Sequence, residues 1–520
     1  MSQAAASLSV ALAAHSSGRH LCRFTTAEEP FFLLNDTAWE LAHKLDMEQA
    51  EHYLKNRASK GFNSVMIVLI AEQDGLTVPN RDGHLPFPLQ TGLNGEPIVD
   101  IYHPNDAYFS FVDRLIPVAA KMGISLTLVP TWGRYITGGL QGGPVVFDER
   151  NSRSYGEFLG ERYPFHPWVL GGDTNRYWNP KTVAYLDEKK DVNDLEVIDY
   201  KPVFDAMREG IVEGEKRAIS KLSKEVCDKA RGYETFFTFH STQGWLPKAP
   251  APSMASAQFP DADWLTLDCV QTGHTDFPHS VPNWFSTSCY LPVRTMYKNA
   301  EKVKGGKLRP VIDLEPHYES THHSFDPTRP IWGAADIRNG GYQAIFNGTC
   351  GYTYGCNSIW RMWDPKFPIH NPPHDPPTAP WHLELDLPGA FFAGIMQKII
   401  LSLPNYHSRV PNNSFITSDR HEVAEASAES GMGLVSGMSG LGWAMVHLPL
   451  GGLVDVDVRK ALPGSSRYRA WWVDPRIGSK VLAVREVEVG GEPVTSFQAP
   501  SGGDIDNDWI LYLTDEKIST

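Results

Sequence analysis

Asn63-Ser-Val-Met-Ile-Val-Leu-Ile70 runs apolar from Val65 onward, with no polar residue at alternate positions. A strand wetted on one face alternates apolar and polar side chains, so this run reads as a strand covered on both faces, as in a parallel sheet clad by helices. Further runs of the same texture lie at Phe31–Leu34, Ser125–Pro130, Trp168–Gly171, Phe236–Phe239, Trp264–Val270, Pro310–Leu314 and Gly351–Tyr354. Stretches of helical length and periodicity separate several of them, at Met47–Ser59, Asn105–Met122, Ser154–Arg162, Tyr200–Lys229 and Ile337–Phe346. Asn105 is suited to cap the second of these. Strand and helix in alternation mean parallel β/α units, and eight strands is the number that closes a barrel. An open doubly wound sheet would want a glycine-rich phosphate turn after an early strand, and none opens a helix here. The fold expected is therefore α/β, a (β/α)8 TIM barrel.

A length of 520 residues leaves room behind such a barrel for an accessory module of about 100 residues. After about residue 405 the texture changes to short alternating runs broken by Gly, Pro and Asp: Gly440–Leu448, Arg469–Val473, Lys480–Val489 and Trp509–Leu513. That is the pattern of an antiparallel β-sandwich. The expected organisation is an N-terminal segment over residues 1–30, a catalytic barrel over 31–411 and a C-terminal β-sandwich over 412–520. Trp360–Pro380, dense in proline, reads as a long ordered loop of the last β/α unit.

Charge narrows the partners. With 47 basic against 61 acidic residues the net charge is −14, which repels polyanions, so nucleic acid is not expected. No stretch has the length and apolarity of a membrane span, and no membrane partner is expected. Met1–Ala14 lacks the positive start of a secretory signal, which favours the cytoplasm, with secretion as the alternative if the chain is a mature form. The oligomeric state has no signature. Six cysteines show no CxxC pair and no zinc spacing; most read as buried thiols, with Cys350 and Cys356 near enough in sequence to bridge.

Polar residues gather where the apolar runs end: Asn35-Asp-Thr-Ala-Trp39, Glu72, Thr131-Trp-Gly133, Asp173-Thr-Asn175, His240-Ser241, Gln271-Thr-Gly-His274, Glu315-Pro-His-Tyr-Glu319 and Tyr354-Gly-Cys-Asn357. Parallel strands bring these clusters to one rim, where barrel enzymes carry their chemistry. Glycosidic bonds are cleaved by two carboxyl groups flanking the anomeric carbon, so strand-end acids are the candidates. Asp173 follows Trp168-Val-Leu-Gly-Gly172 and is the expected general acid/base; capping the next turn is its blander role. Glu315 ends Arg309-Pro-Val-Ile-Asp-Leu314 and is the expected nucleophile, held extended by Pro316. His317 and Tyr318 can hydrogen-bond its carboxylate, Glu319 is its rival within the motif, and Asp313 reads as a support residue. Asp36, Asn175, His240, Gln271, His274, Tyr318 and Tyr354 are expected to bind sugar hydroxyls, and Trp39, Trp132 and Trp360 to stack on the ring. Nineteen histidines make chance clustering common, and no HxH or HExxH spacing supports a metal. No metal or cofactor is expected.

These residues resemble the apiosidase-like glycoside hydrolases, barrel enzymes often followed by a domain named for collagen binding. The landmarks run in order from Phe31-Phe-Leu-Leu-Asn-Asp-Thr-Ala-Trp39 through Tyr53–Asn63, Pro130-Thr-Trp-Gly133, Arg162-Tyr163, Gly171-Gly-Asp173, Gln271-Thr-Gly-His274 and Glu315-Pro-His-Tyr-Glu319 to Gly351–Trp360. Trp471-Trp-Val-Asp-Pro-Arg-Ile-Gly478 and Asp508–Leu513 extend the likeness into the C-terminal region. The chain departs from the family pattern at Asn35, where glycine is common, at Cys356, where histidine is common, and in an insertion at Asp187–Asn193. The resemblance implies that Asp173 and Glu315 are the catalytic pair of a retaining exo-glycoside hydrolase. It would release apiose or a related terminal sugar from a plant-type glycan or glycoside. The alternatives are a glycosidase of different sugar specificity, a non-catalytic carbohydrate-binding barrel, or a hydrolase of an amide or ester bond.

Overall fold

A computed structural model describes residues 2–92, 97–139, 142–179, 181, 196–242, 254–273, 290–299, 308–367, 375–418, 434–490 and 494–518. Eight parallel strands form its first domain: β1 (Leu33–Thr37), β2 (Ser64–Val68), β3 (Ser125–Val129), β4 (Trp168–Gly171), β5 (Phe237–His240), β6 (Asp268–Gln271), β7 (Val311–Glu315) and β8 (Gly351–Tyr354). Six of them pair in the order β5-β4-β3-β2-β1-β8, and β6 pairs with β7. Backbone bonds join these sheets into a ring, among them Thr266 N to Phe237 O at 2.9 Å and Cys350 N to Val311 O at 2.9 Å.

Helices follow the strands: α1 (Met47–Ser59), α2 (Asp106–Lys121), α3 (Glu149–Arg162), α4 (Lys201–Ser220), the single turn α5 (Ala255–Gln258), α6 (Tyr290–Asn299), α7 (Ala334–Phe346) and α8 (Pro388–Leu401). The chain is a (β/α)8 barrel. Local chemistry sets several ends. Asp46 and Gln49 form a capping box on α1, and Asn105 caps α2 by accepting from Ala107 N at 3.1 Å. The helix read over Tyr200–Lys229 breaks after Ser220, and Ser223 caps a second short helix, Lys224–Lys229. The unexpected helix is α8. Most of its side chains are apolar, and it lies between the barrel and the Gly478 turn of the C-terminal domain, so it lacks the polar stripe of a surface helix.

The C-terminal domain is an antiparallel sandwich of β9 (Ser436–Gly440), β10 (Trp443–Leu448), β11 (Gly451–Asp457), β12 (Arg467–Val473), β13 (Lys480–Glu488), β14 (Val494–Gly502) and β15 (Trp509–Asp515). The larger sheet runs from Val410–Pro411 through β9, β10, β15 and β12 to β13, and β11 pairs with β14. Side chains alternate across β15. Leu511 and Leu513 enter the sandwich core with Val454, Val456 and Phe497, while Ile510 and Tyr512 join the barrel core with Met445 and Val473. Trp472 and Trp509 are core residues of the sandwich and Trp471 packs partly buried on the barrel, so these three indoles form no exposed strip. Cys350 and Cys356 are both free, buried thiols. Among the described residues no helix is long and apolar enough to cross a membrane.

One buried ion pair clamps the domains: Arg338 of α7 meets Asp508 with Nη2 to Oδ1 at 2.8 Å and Nε to Oδ2 at 2.9 Å. Both side chains are 1% exposed. Removing one partner strands a charge away from water, so Asp508→Ala is expected to destabilise the fold by about 3–5 kcal/mol. The check is the midpoint of urea unfolding followed by tryptophan fluorescence; an unmoved midpoint would show that the pair does not hold the domains.

Candidate active site

Strand β4 ends in a turn whose first two positions only glycine accommodates. Gly171, Gly172 and Asp173 have φ of 92°, 99° and 42° in succession. A Cβ on Gly171 would lie 2.4 Å from the carbonyl oxygen of His240, and one on Gly172 would lie 2.7 Å from the Trp132 ring. Gly172 N bonds that same His240 oxygen at 2.9 Å, which locks the turn onto β5. Asp173, which has a Cβ, sits in the left-handed region at a conformational cost. The surrounding bonds hold it there with 17% of its side chain exposed.

Glu315 arrives on β7 opposite this turn. The pairing of β6 with β7 shifts register between Val270 and Gln271, so Gln271 lies against Glu315. Thr272 N and Gly273 N both donate to Glu315 O, at 3.1 and 2.9 Å. Such a bulge re-aims side chains, and the Gln271 amide donates to Asp173 Oδ1 at 3.0 Å. Asp313 accepts from the Thr272 hydroxyl. His240, at the end of β5, stands between the acids: Nε2 is 3.0 Å from Glu315 Oε2 and Nδ1 is 3.8 Å from Asp173 Oδ1. One ligand atom from each of Asp173, His240 and Glu315 lies within 4.8 Å of the others.

Burial holds the Asp173 carboxyl well above the usual carboxylate range, and the charges of Glu315 and Glu72 act in the same direction against the Gln271 bond. A carboxyl shifted in this direction is suited to donate a proton. Glu72 is itself pushed up to about 8, by burial first and then by Glu40. The sequence reading placed Glu72 at the rim without giving it a role; only the closed ring brings its charge to bear on both acids.

The floor of the site is aromatic. Trp39 packs on Trp132 at 4.5 Å between centroids, on Trp360 at 5.3 Å, on His240 at 5.9 Å and on Tyr318 at 6.0 Å. The three indoles are 2%, 1% and 8% exposed. They cover one another in one packed aromatic cluster beside His240. Asn175 is buried, and among the described residues its amide nitrogen and oxygen have no partner.

Two expected ligands lie elsewhere. Asp36 pairs in register with Tyr354 across β1 and β8, and both side chains turn outward toward the helices. Asp36 accepts from Tyr53 and Arg57 of α1, and the Tyr354 hydroxyl donates to Glu319 Oε2 at 2.6 Å. They are buried supports of the barrel wall. Strand alternation is the reason, since β1 extends to Thr37 and carries Asp36 on its outer face. His274 lies outside the described residues.

A closed parallel barrel with two acids facing each other across its C-terminal rim has the architecture of a sugar-cleaving hydrolase. The family model described as the apiosidase-like catalytic domain matches residues 15–407, and the chain belongs to that family; it is a glycoside hydrolase. A second model, for a domain described as collagen-binding in a collagenase, matches residues 410–514. Among solved structures, a glycoside hydrolase family 5 protein from Bacteroides vulgatus ATCC 8482 is 23% identical, with 98% of this chain and 94% of that chain covered and a TM-score of 0.71. Another, titled as a glycoside hydrolase, is 23% identical with 98% of both chains covered and a TM-score of 0.69. At that identity the likeness is one of fold. No curated protein matches the chain.

Proposed function

We propose that the protein is a retaining exo-glycosidase with Asp173 as general acid/base and Glu315 as nucleophile, releasing apiose or a related terminal sugar from a plant-type glycan or glycoside. The observation that carries this reading is the meeting of two strand-end acids: a carboxyl oxygen of Asp173 and one of Glu315 lie within 4.8 Å of each other, as a pair flanking one glycosidic bond must. Retaining enzymes hold their carboxyl groups about 5–5.5 Å apart and inverting enzymes about 6.5–9.5 Å, and the stereochemistry of the first product decides between them. Family membership supports the sugar. Aryl β-apioside and a panel of aryl glycosides test both points, with the anomer of the first-formed sugar read by NMR. A first product of inverted configuration overturns retention. If no glycoside is cleaved yet sugars bind, the barrel is a carbohydrate-binding protein instead. The C-terminal domain serves, on this reading, as a support packed on the barrel.

The pair predicts a bell-shaped pH profile. Activity needs Glu315 ionised, so it falls at low pH as that carboxylate takes up a proton. It needs Asp173 protonated, and because the Asp173 carboxyl is held high, this limb is lost only as pH rises through its raised value. A kcat/KM flat from about pH 4 to 9, with chemistry limiting, would contradict the assignment.

A further inference from the structure

Nε2 of His240 is buried and, among the described residues, has no hydrogen-bond partner, although Glu315 Oε2 stands only 3.0 Å away. A buried ring nitrogen left in that state costs free energy, and a bound ion is one way to satisfy it. The ring is 2% exposed and packs edge-on to Trp39, at 87° between planes, so it is held in place. One ligand atom from each of Asp173, His240 and Glu315 lies within 4.8 Å of the others. The three come from separate strand ends, which is why no HxH or HExxH spacing announces them in the sequence. Zinc binds imidazole nitrogen and carboxylate oxygen at about 2.0–2.2 Å, so two ligands at a tetrahedral angle stand about 3.4 Å apart. The separation of Nε2 and Oε2 is close to that, and the Asp173 carboxyl, the most exposed of the three, can turn to close the triangle. An imidazole with two carboxylates suits zinc and its neighbours, whereas calcium and magnesium want about six or more oxygens.

We propose that Asp173, His240 and Glu315 form a site for one divalent cation of the zinc class, and that the bound ion shuts off hydrolysis by occupying the seat of the scissile bond. The ion is an inhibitor and not a cofactor, because it engages the two carboxyls that have to attack the sugar and protonate the leaving group. The competition with substrate rests on the reading of Asp173 and Glu315 as the catalytic pair; the binding of the ion does not.

Full-length protein, stripped with EDTA and dialysed, is titrated with ZnCl2 in a calorimeter and assayed on an aryl glycoside. One tight site per chain is expected, and about 100 µM ZnCl2 should raise KM by about tenfold or more at unchanged kcat, the pattern of competition. EDTA should restore the rate, and MgCl2 or CaCl2 at the same concentration should leave KM in place. His240→Gln is expected to weaken zinc binding by about 100-fold or more, at least what loss of an outer-shell partner costs a metal site. His103→Ala removes an exposed imidazole that meets Asp100 at 2.7 Å, a surface pair that could also take zinc, and should leave the tight site unchanged. Thermal melts of both variants control for folding. Zinc affinity that survives in a folded His240→Gln, a tight site lost with His103→Ala, or inhibition that lowers kcat at constant KM overturns the site and leaves the catalytic pair standing. Zinc that binds through His240 yet leaves hydrolysis untouched removes Asp173 and Glu315 as the catalytic pair, and the inhibition with them.

Discussion

Glu315→Ala is expected to lower kcat by about 10⁵-fold, a loss of about 7 kcal/mol of transition-state stabilisation. Its carboxylate forms the bond to the anomeric carbon, so the loss should be the same for natural glycosides and for dinitrophenyl glycosides, whose departure needs no proton. Azide can occupy the space left by the side chain and attack the same face of the sugar. The rescued product should then be a glycosyl azide of inverted configuration. The alternative cause, a damaged fold, is separable in the milder variant. Glu315 adds to the electrostatic burden on Asp173, so Glu315→Gln should leave the unfolding stability unchanged or raise it, by about 1 kcal/mol. A Glu315→Ala enzyme within tenfold of wild type would show that another group attacks, and Glu319 would be examined next.

How much of this was legible in the sequence differs from residue to residue. The strands were legible because a doubly buried strand has no polar alternation; β4 and β8 fall at the expected bounds and β2 ends two residues early. Helix α8 was hidden by the same physics, since a helix covered on two sides has no stripe to detect. The gathering of Asp173, His240, Gln271 and Glu315 followed from strand ends alone. The misplacement of Asp36 followed from a boundary. A strand ending at Leu34 would leave Asp36 on the rim, but the real β1 runs to Thr37 and turns that side chain onto α1. One residue of register moves a side chain from the inner to the outer face of the strand. The positive φ of Asp173 was only hinted at by its two preceding glycines, and the reach of Glu72 into the site depends on ring closure, which no local pattern encodes.

Asp173→Asn should discriminate between substrates where Glu315→Ala does not. With a poor leaving group such as a sugar alkoxide, loss of the general acid is expected to slow glycosylation by about 10²–10⁴-fold. With a dinitrophenyl leaving group the first half-reaction should run near the wild-type rate, because nothing needs to be protonated. Deglycosylation still wants a base to activate water, so a burst of dinitrophenol followed by slow turnover is the signature, and KM should fall as the glycosyl-enzyme accumulates. Azide, which needs no base, should lift the steady-state rate of Asp173→Ala and yield a glycosyl azide of retained configuration. The basic limb of the pH profile should disappear with the side chain, since no other group then has to stay protonated. The wild-type geometry makes the burst specific to this residue: Gln271 anchors Asp173 Oδ1 at 3.0 Å while Glu315 lies on the opposite strand with its own backbone ties, so the asparagine leaves the nucleophile in place. If the variant instead lost both leaving-group classes equally and azide gave the inverted product, Asp173 would be the nucleophile and Glu315 the acid.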